Sequence, residues 1–241
     1  MQPAATATPH AIQTGQGVPI EAGTPRRGEW ITVELFDRWS RQEALEMLAE
    51  SFVDEPALRL VLGGTSRRRP RVLRPFMWSA FAVFPESIEV HGARLDGRLV
   101  GVALRFPPGG WPGTRSQRLR MWTLGMAAMA PTLVASPHAI QLFRHMTDIH
   151  GRHPPDGPYW FLWTMGAHLS LRRRCVASKL ARYVTAKADA DGAGCCTEAF
   201  GDGTETLYRG FGFEVRERWE IEPGAPMART MWRDPQPDGR R

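Results

Sequence analysis

The chain has 241 residues, 42% of them hydrophobic, which is enough to bury one large core or two modest ones. Its formal charge of +6 rests almost entirely on arginine, Lys179 and Lys187 being the lysines. The charge therefore reads as coding bias rather than as a nucleic-acid footprint. No stretch has the ~18 uncharged apolar residues of a membrane span, and the three cysteines, Cys175, Cys195 and Cys196, have neither the number of a disulfide framework nor metal-ligand spacing. A cytoplasmic protein without a metal site is expected.

Residues 1–28 are rich in Pro, Ala, Thr and Gly without a period and predict a flexible tail, as do residues 234–241. Ile31 to Leu35 predicts a first strand. Ser40-Arg41-Gln42-Glu43 has capping-box spacing ahead of a helix carrying Leu45, Leu48, Ala49 and Phe52, which Pro56 stops or kinks. A second helix is predicted over Arg71 to Phe84. Ile88 to Leu95 and Leu99 to Phe106 flank Asp96-Gly97 and predict a hairpin. After Pro107-Pro108-Gly109-Gly110 come two predicted helices, Arg115 to Met129 and Ala139 to Ile149, within a helical insertion spanning 107–158.

Tyr159 to Ala167 reads as a strand, Cys175 to Ala190 as a helix and Cys195 to Phe200 as a strand. Thr204 to Arg209 makes one or two helical turns, and Phe211 to Ile221 and Met227 to Trp232 close the pattern as strands. This order predicts an α/β protein with a mixed central sheet flanked by helices, as one domain over 29–233. No GxGxxG or P-loop follows a predicted strand, which removes the main support for dinucleotide or nucleotide-hydrolysis chemistry.

Several local sequences then fall in an informative order. They are Phe52-Val53-Asp54-Glu55-Pro56, Gly97-Arg98-Leu99-Val100-Gly101-Val102-Ala103, Trp160-Phe161-Leu162 leading to Gly166-Ala167, Thr197-Glu198-Ala199, Leu207 to Phe213, and Met231 with Arg233. Together they resemble the GNAT acyltransferases, and within that superfamily the chain is most similar to the puromycin N-acetyltransferase type. The resemblance covers about Ile31 to Arg233. It implies acetyl coenzyme A, or another acyl coenzyme A, as co-substrate, and a small-molecule amine as acceptor. A homodimer is compatible with it.

The resemblance also assigns roles. The family turn R/Q-x-x-G-x-G/A, which holds the coenzyme A pyrophosphate, falls on Arg172, Arg173, Arg174, Cys175, Val176 and Ala177, with Ser178 following. Amides at a helix start and the helix dipole favour an anion there. Cys175 replaces the central glycine, and two readings stay open. Either the arginines compensate, or the turn no longer binds coenzyme A and the fold serves another small molecule. A basic nucleic-acid-binding module is a third reading, carried by charge alone.

Tyr208 matches the family tyrosine that protonates the departing thiolate, a role suited to a phenol that is neutral at pH 7. Met165 and Ala167 would offer main-chain groups to the donor. For the base, Glu198, Glu55 and His168 are candidates, with Asp54 beside Glu55. Glu55, Trp78 and Trp122 are expected at the acceptor site.

Overall fold

The computed structural model describes residues 31–37, 40–62, 69–84, 86–111, 113–125, 127, 130, 157–171, 175–220 and 223–236. The predicted helix Ala139 to Ile149, the arginines Arg172 to Arg174 and most of the insertion lie outside the described residues.

Seven strands form one sheet: β1 (Ile31–Leu35), β2 (Glu89–Leu95), β3 (Arg98–Phe106), β4 (Tyr159–Ala167), β5 (Gly194–Phe200), β6 (Glu214–Trp219) and β7 (Ala228–Arg233). Their spatial order is β1-β2-β3-β4-β5-β7-β6. All neighbours are antiparallel except β4 and β5, which run parallel. The β2–β3 hairpin turns on Asp96 and Gly97, with φ of 49° and 78°. That is the doubly left-handed turn for which an Asp-Gly pair is suited.

Helices cover both faces. On one side lie α1 (Arg41–Ser51), α2 (Pro56–Leu62) and α3 (Arg69–Val83). Val90, Val102, Leu104, Phe106 and Phe161 of the sheet pack in one core with Leu48 of α1 and Leu73 and Phe81 of α3. The short helix α4 (Arg115–Arg120) and a π-turn, Met121–Gly125, follow β3. On the opposite face, α5 (Val176–Ala190) buries Val176, Leu180, Val184 and Ala188 against Val100, Ala103, Trp160 and Leu162. Helix α6 (Asp202–Arg209) lies on that side too and contributes Tyr208 to the same core. The alternation of strand side chains thus feeds two separate cores from one sheet.

Two local expectations are corrected. The capping box at Ser40 does not form: the Ser40 amide and hydroxyl both donate to Asp37 Oδ1, at 2.9 and 3.0 Å, and Glu43 is drawn to Arg94 Nη2 at 2.8 Å. Pro56 does not simply end a helix but opens α2, because proline's missing N–H costs nothing in a first turn.

Beneath α5, β3 carries Arg105, which is 1% exposed. Its guanidinium carbon lies 3.8 Å from the Trp160 ring centroid, and Nη2 lies 2.7 Å from Glu89 Oε2. Nε lies 3.0 Å from both Glu89 Oε2 and the buried His91 Nε2. This buried charge is tolerated because a carboxylate, an imidazole and an indole face replace its water.

Candidate active site

The site begins where the parallel pair parts. β4 and β5 are paired from Tyr159 opposite Gly194 to Leu162 opposite Thr197, and no further. Next to that point the β3–β4 register shifts, so that Leu162 and Thr164 pair with consecutive residues of β3 and Trp163 is left over. Such a bulge bends the strand and re-aims its side chains. Beyond it the His168 amide donates to Val100 O on β3 at 2.9 Å. By strand alternation, the backbone groups of Met165 and Ala167 therefore turn away from β3, toward the side that β5 has left.

A cavity of about 130 Å³ occupies the parting. From the α1–α3 face, Phe52, Glu55, Leu58 and Met77 line it; Trp163, Met165, Glu198 and Phe200 come from the diverging strands, and Thr204 and Tyr208 from α6. Cys195 and Ala199 belong to the α5-side core, whereas Cys196 belongs to the α1–α3 core. By the same alternation Glu198 faces the α1–α3 side and Thr197 the α5–α6 side. The cavity passes through the sheet, and Glu198 and Tyr208 reach it from opposite faces.

Burial sets the chemistry of both groups. Glu198 is 9% exposed, and burial pushes its carboxyl up to about 8. Tyr208 is 3% exposed, packs on Phe213 at 5.2 Å, and is pushed up to about 12, again by burial, against the lowering effect of a hydrogen bond with Thr197. Thr197 itself donates to Leu162 O at 3.0 Å, at the last paired position of β4 and β5. The arrangement offers a carboxyl able to take up a proton near neutrality and a phenol that keeps one.

Glu55 caps α2. Its Oε2 accepts the Leu58 amide at 2.6 Å, and burial raises its pKa against the lowering amides of Leu58 and Ala57. Trp78 and Trp122 are half exposed and are not among the residues lining the cavity; its aromatic side chains are Phe52, Trp163, Phe200 and Tyr208. Trp111 instead packs on Phe106 and Phe161, at 5.2 and 5.3 Å. His168 also stands apart, with Nδ1 2.8 Å from Ser170 Oγ, and Asp54 is exposed in the turn after α1. Phe200 escaped sequence reasoning, although it lies two residues beyond Glu198 and so on the same strand face.

On the other side, α5 starts at Cys175, whose φ of 63° and ψ of 7° are left-handed. Cys175 is exposed and makes no side-chain cap. The first intrahelical bond runs from the Lys179 amide to Cys175 O, so the amides of Val176, Ala177 and Ser178 have no acceptor within the helix. Arg182 of α5 and Arg209 of α6 line a groove between the two helices, across from the Gly210–Gly212 turn. The amides at the helix start fit a phosphate group; the groove's lining includes none of them, contains Asp189 as well as the arginines, and its Arg209 is paired with Glu205 at 2.9 Å.

A mixed seven-stranded sheet, parted along one parallel pair and flanked by helices, is a GNAT-like fold. The solved structures it is similar to carry that fold. One is a histone acetyltransferase HPA2 and related acetyltransferase from Corynebacterium glutamicum, 21% identical, with a TM-score of 0.58 over 86% of this chain and 97% of that one. Another is arylalkylamine N-acetyltransferase 2 from Aedes aegypti, 15% identical, with a TM-score of 0.56 over 86% and 99% of the two chains. A third is the Drosophila melanogaster polyamine N-acetyltransferase, 13% identical, with a TM-score of 0.56 over 85% and 99%. No protein-family model matches the sequence, and no curated protein matches it.

Proposed function

We propose that this protein is an acyl coenzyme A-dependent N-acyltransferase acting on a small-molecule amine. The observation that carries the reading is the convergence of Glu198 and Tyr208, from opposite faces of the sheet, on the cavity where β4 and β5 part. The sequence motifs keep the puromycin N-acetyltransferase type as the subtype it resembles, which concerns the chain rather than the acceptor. The fold neighbours that act on amines support the same chemistry.

Acyl coenzyme A, when bound, supplies an activated acyl group and a thiolate leaving group. The amides of Val176, Ala177 and Ser178, which have no acceptor within the helix, would hold its pyrophosphate, with Arg172 to Arg174 adjacent in sequence and Arg182 and Arg209 further along α5 and α6. Met165 and Ala167 would offer backbone groups at the gap. Glu198 Oε accepts the proton that an amine must lose to become a nucleophile, and the Tyr208 hydroxyl holds the proton the thiolate needs. The apolar walls keep water from the acyl group.

The alternative, a fold that has given up coenzyme A, drew its support from Cys175. The left-handed backbone there weakens it, because cysteine occupies the conformation a glycine would take. Calorimetry with acetyl coenzyme A, paired with a thiol-release assay, tests the reading. Micromolar binding and amine-dependent thiol release are expected. Neither binding nor release would overturn it.

A further inference from the structure

One side chain joins the phenol of Tyr208 to the point where the strands part. Leu162 and Thr197 are the last residues that β4 and β5 pair, and the Thr197 hydroxyl donates to Leu162 O at 3.0 Å. Thr197 is 2% exposed and shares a hydrogen bond with Tyr208. Both residues line the cavity.

The backbone fixes where the phenol stands relative to Thr197. The Tyr208 carbonyl accepts the amides of Phe211 and Phe213, at 2.9 and 3.2 Å, which closes the end of α6, and the Tyr208 ring packs on Phe213. On the other side, Thr197 is held in β5 by its pairing with Leu162 of β4 and Met231 of β7.

A threonine hydroxyl has one proton and two lone pairs. While the Thr197 proton is on Leu162 O, Thr197 meets Tyr208 as an acceptor, and the phenol keeps its proton. Once Tyr208 has given that proton away, a phenolate stands in a buried site, which is costly without a donor. Turning the Thr197 O–H from Leu162 O to the phenolate supplies one, and hydrogen bonds to ionised groups are the stronger kind. The bond with Thr197 favours the ionised phenol against burial, as a donor would.

We propose that Thr197 is a positioning residue for acyl transfer: its hydroxyl accepts from Tyr208 before the proton leaves and donates to Tyr208 afterwards, Leu162 O holding the Thr197 proton until then. This rests on the N-acyltransferase reading. As the C–N bond forms, the C–S bond breaks with its electron pair on sulfur, and Tyr208 passes its proton to that sulfur. The O–H electron pair stays on Tyr208, and the proton that the attacking nitrogen sheds restores the phenol. Thr197 keeps its own proton throughout.

The test is a double-mutant cycle of Thr197→Val and Tyr208→Phe in the full-length protein. It is read by thiol release from acetyl coenzyme A with puromycin, phenethylamine, spermidine and kanamycin, and by melting without donor. Thr197→Val is expected to lower kcat about tenfold when Tyr208 is present and less than about twofold in the Tyr208→Phe protein. Thr197→Ser, which keeps the hydroxyl, should bring kcat back to within about threefold of the parent. The doubly substituted protein should melt no lower than Thr197→Val alone, since the two residues share one bond. Thr197→Ala carries the same cycle if Thr197→Val does not fold.

A kcat loss of equal size in both backgrounds, or one that serine does not restore, would overturn the proposal and leave the acyltransferase reading intact. Additive losses in melting temperature would also overturn it. If the parent releases no thiol with any of the four amines, the acyltransferase reading fails and the role of Thr197 fails with it.

Discussion

Gly101 lies directly beneath Val176. A methyl group on Gly101 would stand 2.6 Å from Val176 Cγ1 and 2.9 Å from Leu180 Cδ1. The first turn of α5 thus rests on the backbone of β3, and its position depends on the missing side chain. Gly101→Ala is expected to lift that turn, lowering stability by about 1–3 kcal/mol and weakening acetyl coenzyme A binding about tenfold. Differential scanning calorimetry and donor titration check the two effects together. Normal donor affinity in a destabilised variant would separate α5 seating from donor binding.

Cys175 at φ 63° carries the cost of placing a Cβ in the left-handed region, about 1–2 kcal/mol. Cys175→Gly relieves it but loosens the unfolded chain, so a net stabilisation of up to about 1 kcal/mol is expected. Cys175→Val should destabilise, because a β-branched side chain is the poorest fit to that backbone. Thermal melts of the two variants are expected to move in opposite directions from the parent.

Glu198 predicts two opposing pH effects. Its folded-state carboxyl at about 8 lies above the ordinary 4.5, so the stability linked to its proton is fully present below pH 4.5. That stability is lost as pH rises from there through 8. Glu198→Gln should remove this loss and melt higher than the parent at pH 8.5. The same substitution should abolish the rise of kcat/KM with pH through about 8, whereas Tyr208→Phe should lower kcat about 100-fold and keep that rise.

Glu89 acts in acid. Burial opposes its ionisation, but the hydrogen bond with His91 and the charge of Arg105 outweigh this and hold it at about 2, below the ordinary 4.5. Its contribution is therefore present above pH 4.5 and lost as pH falls toward 2. His91 is pushed below its ordinary 6.5, by burial first, so folding also loses stability as pH drops below 6.5. Melting temperatures should fall in two stages on acidification. Glu89→Gln should lower stability at neutral pH and abolish the lower stage, leaving Arg105 buried without its carboxylate.

The sheet was largely legible because its signals are local. Asp96-Gly97 marks the hairpin, and the apolar period of Val176, Leu180, Val184 and Ala188 marks α5. The helix α2 was not, since seven residues opening on a proline give too short a period to register. At the site, Glu198 and Tyr208 were readable only as candidates. Their convergence depends on where two parallel strands stop pairing, and on a bulge at Trp163 that no residue type announces. Trp78 and Trp122 are aromatic, and an aromatic residue type does not say which way its helix faces.

The engagement of Glu55 has a thermodynamic corollary. A carboxyl that both closes the first turn of α2 and borders the cavity makes the two equilibria reciprocal: whatever fills the cavity stiffens the turn, and whatever frays the turn weakens the guest. The Leu58 amide is then a built-in reporter, its hydrogen exchange slowing as the cavity becomes occupied.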